Sequence, residues 1–326
     1  MKLTLLLSAG IPLALLAAAL AFGGPAAPPL MESISAPFRG LDMRDLPSLQ
    51  TVPARDGTAL AYRRYAPVDG TPRGSVTLVH GSSASSESLH PLARALSAAG
   101  WAVLVPDWRG HGATGARGRI DHVGQLDEDL DDLLTALKPP APATLLGFSS
   151  GGGFALRIAG GPLQGRFQSY LLLSPFLGQD ASTHRPDSGG WVRVGVPRLV
   201  GLMLLDRLGL WRWLPRALTD LPVTRFALDP AAQARLTPAY GYALATNFRP
   251  PADHLGTMRA AKRPVAILVG AQDEAFRAER YADEVARAGQ RWPVRVLPGL
   301  GHIPMTLDAG AHAAIVETLA TLQAGG

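Results

Sequence analysis

The stretch Gly147-Phe148-Ser149-Ser150-Gly151-Gly152-Gly153 limits what this chain can fold into more than any other. It follows the apolar run Ala143-Thr144-Leu145-Leu146 and leads into Phe154-Ala155-Leu156-Arg157-Ile158-Ala159. That pattern reads as buried strand, sharp turn and helix. A turn so tight brings the backbone two residues before Ser149 close to the backbone two residues after it, with no room for a Cβ at either position. Glycine stands at both, Gly147 and Gly151. The turn holds Ser149 in a strained, exposed conformation with its hydroxyl above the sheet edge, the arrangement of a nucleophile elbow. Ser150 does not fit the same frame, because Phe148 stands two residues before it.

Short apolar strands and helices alternate around this turn. A hairpin is read over residues 51–66, with Asp56-Gly57 as its turn. Strands follow at 75–79, 102–105, 144–146, 169–173, 265–269 and 294–297, with helices at about 88–99, 123–137, 279–288 and 309–322. The expected fold class is α/β, a mostly parallel central sheet with helices on both faces. Chemistry in such sheets sits at the carboxyl ends of the strands. His80, Asp107 and Ser149 each fall at or just past such an end. Residues 176–255 lack clear strands and carry Trp191, Trp211, Trp213 and many prolines. An unstructured loop of that length does not suit a compact domain, so a helical lid insertion over the strand ends is expected. The core is then 51–175 and 256–326, preceded by an apolar segment, 1–22, and a Pro/Gly-rich linker, 23–50.

Composition narrows the chemistry. The 326 residues are 47% apolar and contain no cysteine, which excludes disulfides, thiol nucleophiles and thiolate metal sites. The net charge is +5, yet the only lysines are Lys2, Lys138 and Lys262, and the arginines are scattered among apolar residues. No nucleic-acid-binding arm is read from that spread. Asp127, Glu128, Asp129, Asp131 and Asp132 read as a solvated helix face and not as a metal site. Lys2 precedes a leucine- and alanine-rich run over residues 3–22, with Ala19-Leu20-Ala21 as an Ala-x-Ala cleavage site. Signal peptide and uncleaved anchor both place the rest of the chain across the cytoplasmic membrane, periplasmic or extracellular. Membrane association through this segment stays open.

A serine hydroxyl needs a base. His302 lies in Gly299-Leu300-Gly301-His302-Ile303-Pro304, a loop after the last strand. Asp273 ends Gly270-Ala271-Gln272-Asp273, just past a strand, and suits the role of orienting that base. Glu274 and Asp253 are rival carboxylates of lower rank. The chain order Ser149, Asp273, His302 matches the order known for this type of elbow.

These features together resemble the α/β-hydrolase superfamily, in its lysophospholipase and monoacylglycerol-lipase-like (serine aminopeptidase S33-type) branch. The matching residues, over about 55–322, are His80-Gly81, Asp107-x-Arg109-Gly110-His111-Gly112, Gly147-x-Ser149-x-Gly151, Gly270-x-x-Asp273 and Gly301-His302. The resemblance implies a triad of Ser149, Asp273 and His302, with an oxyanion hole made by the backbone N–H groups of Ser82 and Ser150. It makes His80 and His111 structural, and implies no cofactor, metal or protein partner. The expected substrate is a lipid-like or other apolar acyl ester. Acyl transfer, aminopeptidase activity and non-catalytic ligand binding are the alternatives. The stretch His80-Gly81-Ser82-Ser83-Ala84 departs from the His-Gly-Gly-Pro-Gly of proline iminopeptidase-like relatives. His184 and His254 are kept as candidates for lining the site from the insertion.

Overall fold

The computed structural model describes the backbone of residues 2–324 except Arg39 and Asp69, and the side chains of that span except those of residues 2–10 and Ser35. Eight strands form one sheet: β1 (Gln50–Pro53), β2 (Ala59–Tyr65), β3 (Ser75–Val79), β4 (Ala102–Pro106), β5 (Ala143–Phe148), β6 (Ser169–Leu173), β10 (Val265–Gly270) and β11 (Val294–Leu297). The spatial order is β1-β2-β4-β3-β5-β6-β10-β11. The β1–β2 hairpin is antiparallel and joins β4 antiparallel, while every pair from β4 to β11 is parallel. β3, β5, β6 and β10 are buried along their whole length. That burial matches their unbroken apolar and β-branched runs. The chain moves from β3 outward to β4, then returns to the other side of β3 for β5. The crevice between the ends of β3 and β5 is therefore the topological switch point, where open α/β sheets bind ligands.

The segment between β6 and β10 differs from the all-helical expectation. It contains a second, antiparallel sheet of β7 (Val192–Val194), β8 (Pro222–Phe226) and β9 (Ala239–Gly241). Two of these strands have three residues each, too short to show alternation in sequence. Helix Val196–Arg207 lies between β7 and β8, and Leu202, Leu205, Val223 and Tyr242 form a core of their own.

The N-terminal segment is not detached by its linker. Its backbone is one helix, Lys2–Phe22, and Leu16 and Leu20 pack against Gly201 of helix Val196–Arg207. Arg198 donates from Nε to the carbonyl of Leu20 at 2.7 Å and from Nη2 to that of Ala21 at 2.9 Å. A guanidinium at those terminal carbonyls acts as a C-cap. Of the expected export segment 3–22, the side chains of residues 3–10 lie outside the described residues. Among the described residues no helix is long and apolar enough to cross a membrane.

The carboxylates of helix Gln125–Leu137 are also not a solvated face. Asp127 pairs with Arg157, Asp131 with Arg166 and Asp132 with Arg55. Asp129 is buried against Arg109, which donates to it from Nε at 2.8 Å and from Nη2 at 2.6 Å. Arg109 also reaches Asp56 in the β1–β2 turn at 2.8 Å. One guanidinium thus ties together the loop after β4, the hairpin and this helix. Burial raises the carboxyl of Asp129, against the pull of Arg109. The hydrogen bonds from Arg109 hold the more exposed Asp56 at about 2.

Arg109→Met should therefore destabilise the protein by about 3–5 kcal/mol, because Asp129 would be left charged and unpaired in the interior. Urea unfolding followed by circular dichroism measures this. A shift below 1 kcal/mol would show that the pair contributes little to stability.

Candidate active site

Ser149 follows β5 and immediately precedes helix Ser150–Ala159. Its backbone sits at φ 57°, ψ −120°. A β-carbon added at Gly147 would collide with the carbonyl of Gly151, and one at Gly151 with the carbonyls of Val79 and His80. The turn thus packs backbone on backbone against the end of β3. Ser149 N–H donates to Leu173 O at 2.9 Å, and its own carbonyl accepts from Gly153 and Phe176. The serine is buried, 7% exposed, beneath the insertion. Sequence reasoning placed it above the sheet edge and in the open; the edge is right, but it is covered.

The structure brings Ser149, His302 and Asp273 together. His302 Nε2 is 3.0 Å from Ser149 Oγ, and His302 Nδ1 is 2.8 Å from Asp273 Oδ2. The carboxylate fixes the tautomer, so Nδ1 donates to Asp273 and Nε2 accepts from the hydroxyl. Asp273 also accepts from the backbone N–H groups of Ala275 and Phe276, both at 2.9 Å. Burial pushes its carboxyl up, but the His302 ring and these hydrogen bonds outweigh burial and hold it below the usual range. The rings of Phe148 and Phe276 flank the imidazole, with centroids 4.7 and 5.3 Å away. Such a chain can take a proton from an alcohol as it attacks a carbonyl.

The rival residues have other tasks. Glu274 accepts from the backbone N–H of His302 at 2.8 Å, so it shapes the loop and does not touch the ring. Asp253 caps helix His254–Ala260 through Gly256 N–H. His254 is buried against Glu284 at 2.9 Å, away from the cavity. His184 does line the cavity.

The backbone N–H groups of Ser82 and Ser150 have no acceptor among the described residues. Their side-chain hydroxyls hydrogen-bond to each other across the crevice. The loop carrying Ser82 is held from the insertion. Ser83 N–H donates to Tyr240 Oη at 2.6 Å, and Ser83 Oγ donates to Thr237 O at 2.6 Å. Tyr240 Oη in turn lies 2.6 Å from His111 Nε2, while His111 Nδ1 donates to Trp108 O at 3.1 Å. His80 Nδ1 donates to Gly81 O at 2.9 Å. Burial pushes both imidazoles below the usual histidine range, so they serve as neutral scaffold. No sequence signal marked Tyr240, which lies 157 residues from Ser83.

A cavity of about 420 Å³ opens over Ser149. Trp191, Val194, Leu199, Phe226 and Phe248 give it apolar walls, and Arg249 is among its polar lining. Among the described residues no group of histidine and acidic side chains is arranged to hold a metal ion.

Comparison with known proteins fits this arrangement. The family model described as serine aminopeptidase, S33, matches residues 70–306. A monoacylglycerol lipase from Mycolicibacterium smegmatis is 33% identical over 125 residues, which cover 36% of this chain and 43% of that protein. The chain thus aligns with less than half the length of that curated relative. Among solved structures, a soluble variant of monoglyceride lipase from Saccharomyces cerevisiae superposes with a TM-score of 0.63 at 19% identity, covering 86% of this chain and 96% of that one. Monoacylglycerol lipase from Paleococcus ferrophilus gives 0.59 at 22% identity, covering 81% and 99%. An esterase from Thermogutta terrifontis gives 0.58 at 22%, covering 85% and 99%. At these identities the structures speak for the fold. With the family model spanning most of the sheet and the loops that carry Ser149, Asp273 and His302, the chain belongs to the serine aminopeptidase S33 family, on an α/β-hydrolase fold.

Proposed function

We propose that this protein is a serine hydrolase of carboxylic esters with lipid-like or other apolar acyl groups. The observation that carries the reading is the continuous hydrogen-bonded chain Ser149–His302–Asp273 beneath a largely apolar cavity. Ser149 Oγ attacks the acyl carbonyl carbon while His302 Nε2 takes the hydroxyl proton. The N–H groups of Ser82 and Ser150 receive the negative oxygen of the tetrahedral intermediate. Collapse breaks the ester C–O bond, and His302 gives its proton to the departing alcohol. Water then attacks the acyl-enzyme with His302 again as base, releasing the acid and restoring Ser149. Fixed donors contribute about 3 kcal/mol each to such a step. The insertion 176–255 acts as the lid, since it supplies most of the apolar wall.

An aminopeptidase on the same triad would need carboxylates to receive a substrate ammonium. The cavity offers Asp187, already paired with Arg193, and it exposes Arg249 instead. That charge pattern favours esters over peptides with a free amino terminus.

We also propose that residues 3–22 export the chain and, where retained, hold it at the membrane. Ile11, Leu13, Leu15 and Phe22 are exposed on the N-terminal helix, as are Val200 and Leu204 on the helix it packs against and Leu208 just past that helix. An apolar surface of that kind calls for a cover. Amino-terminal sequencing of the protein from the membrane and soluble fractions checks whether the segment is kept.

A fluorophosphonate probe should label the wild type and fail to label Ser149→Ala; a folded wild type that takes no label would remove the hydrolase reading. On a 4-nitrophenyl ester, Ser149→Ala should lose about 10^4–10^6-fold in kcat, and Asp273→Asn about 10^4-fold. Tyr240→Phe removes the hydroxyl that holds Ser83 N–H, so kcat should fall about tenfold while KM stays near wild type. Equal losses in the rates of phosphonate labelling and turnover would place that defect in the first, acyl-forming half of the reaction.

A further inference from the structure

Arg249 follows helix Tyr242–Asn247 by two residues, at the edge of the lid. A β-carbon added at Gly153 would lie 3.5 Å from the Cα of Arg249, so its backbone rests on the first turn of the helix that follows Ser149. Its side chain lines the same cavity as Ser149 and His302 and is only partly exposed. Among the described residues it has no hydrogen bond and no ion pair, unlike the buried Arg63, Arg109 and Arg198, which are all bonded. Burial draws its pKa downward, against the pull of Asp180. A guanidinium cannot shed its proton at working pH, so leaving it unpaired in a half-dry cavity carries a standing desolvation cost.

His184 stands in the same cavity wall. Its Nδ1 is buried and has no partner, although the backbone around it is fastened, with its carbonyl accepting from Arg277 at 2.6 Å. Asp180 acts on His184 as it acts on Arg249, and both residues line the same cavity. The other carboxylates nearby are committed. Asp187 is paired with Arg193, Asp273 with His302, and Glu274 with the backbone of His302. Among the described residues the cavity therefore holds an unpaired cation, Arg249, beside apolar walls.

From this arrangement we infer that Arg249 is the subsite for an anionic oxygen group, carboxylate or phosphate, carried by the ester substrate. The inference rests on the hydrolase reading above and adds a substrate class to it: esters that are apolar along the chain and negatively charged at one end. A planar guanidinium suits such a group because it can donate two parallel hydrogen bonds to it.

Two ester pairs test the subsite and separate its sources. Monoethyl and diethyl glutarate place the charge on the acyl side. A 1-decanoylglycerol 3-phosphate and 1-decanoylglycerol place it on the alcohol side. The readout is kcat/KM for the anionic ester divided by that for its neutral partner. In one pair this ratio should fall about 10–100-fold in Arg249→Gln, the size of a lost charge-assisted hydrogen bond. Arg249→Lys should recover part of it. The pair that responds identifies the source. Ratios unchanged within about twofold in both pairs would overturn the subsite, as would equal losses on charged and neutral esters, which a merely structural arginine would produce. Calorimetric binding of the same four esters to Ser149→Ala, with and without Arg249→Gln, reads the subsite without turnover. Charge-selective binding that depends on Arg249, without turnover in the wild type, would keep the subsite and remove the hydrolase reading. Turnover with charge-blind ratios would do the reverse.

Discussion

The backbone contact between the turn at Gly147–Gly151 and the end of β3 is what the rest of the site depends on. It forces Ser149 to a positive φ, a conformation that costs a side-chain-bearing residue about 1–3 kcal/mol. The neighbours that offset this are rigid: β3, β5 and β6 are buried throughout, and Ser149 N–H is bonded to Leu173 at the end of β6. Because the turn is closed so tightly, the next N–H, that of Ser150, emerges at the start of a helix with no acceptor of its own. One packing constraint thus sets both the direction of the hydroxyl and the free donor beside it.

The second donor loop depends on longer connections. His80, His111 and Tyr240 form a buried row of neutral groups from the end of β3 to the insertion: the His80 ring meets that of His111 edge-on, and His111 is hydrogen-bonded to Tyr240. Neutrality matters here. A charged imidazole beneath the crevice would compete for any anion bound above it, and burial opposes that charge. The insertion is accordingly more than a cover. By gripping Ser83 through Tyr240 and Thr237, it takes part in shaping the core loop.

What was legible in the sequence follows from this division. Ser149, Asp273 and His302 each lie within two or three residues of a glycine-marked turn at a strand end, so local pattern and chain order were enough to find them. The parallel strands were legible because total burial leaves unbroken apolar runs. The roles of Tyr240 and Arg249 were not, since each depends on a partner or a packing contact far away in sequence. The same is true of Asp129. On its own helix it looks like one of several surface carboxylates, and only the fold brings Arg109 over it. The lid sheet escaped notice because its short strands carry no alternation, and a pattern-based reading supplied helices in their place. The N-terminal helix looked detached because a Pro/Gly linker suggests separation, whereas Arg198, 178 residues from Leu20, fastens it.

The three consecutive glycines after Ser150 make sense once these contacts are separated. Gly151 admits the carbonyls at the end of β3, and Gly152 lies against Pro175 just past β6. Gly153 faces the carbonyl of Phe176, the ring of Pro250 and the backbone of Arg249. The first approach builds the elbow, the second seats the helix on the sheet, and the third seats the two ends of the lid against that helix. Any side chain at Gly153 would collide with the carbonyl of Phe176 and the ring of Pro250, the residue after Arg249. The serine and the backbone that carries the cavity's arginine are therefore both seated on the same seven-residue stretch.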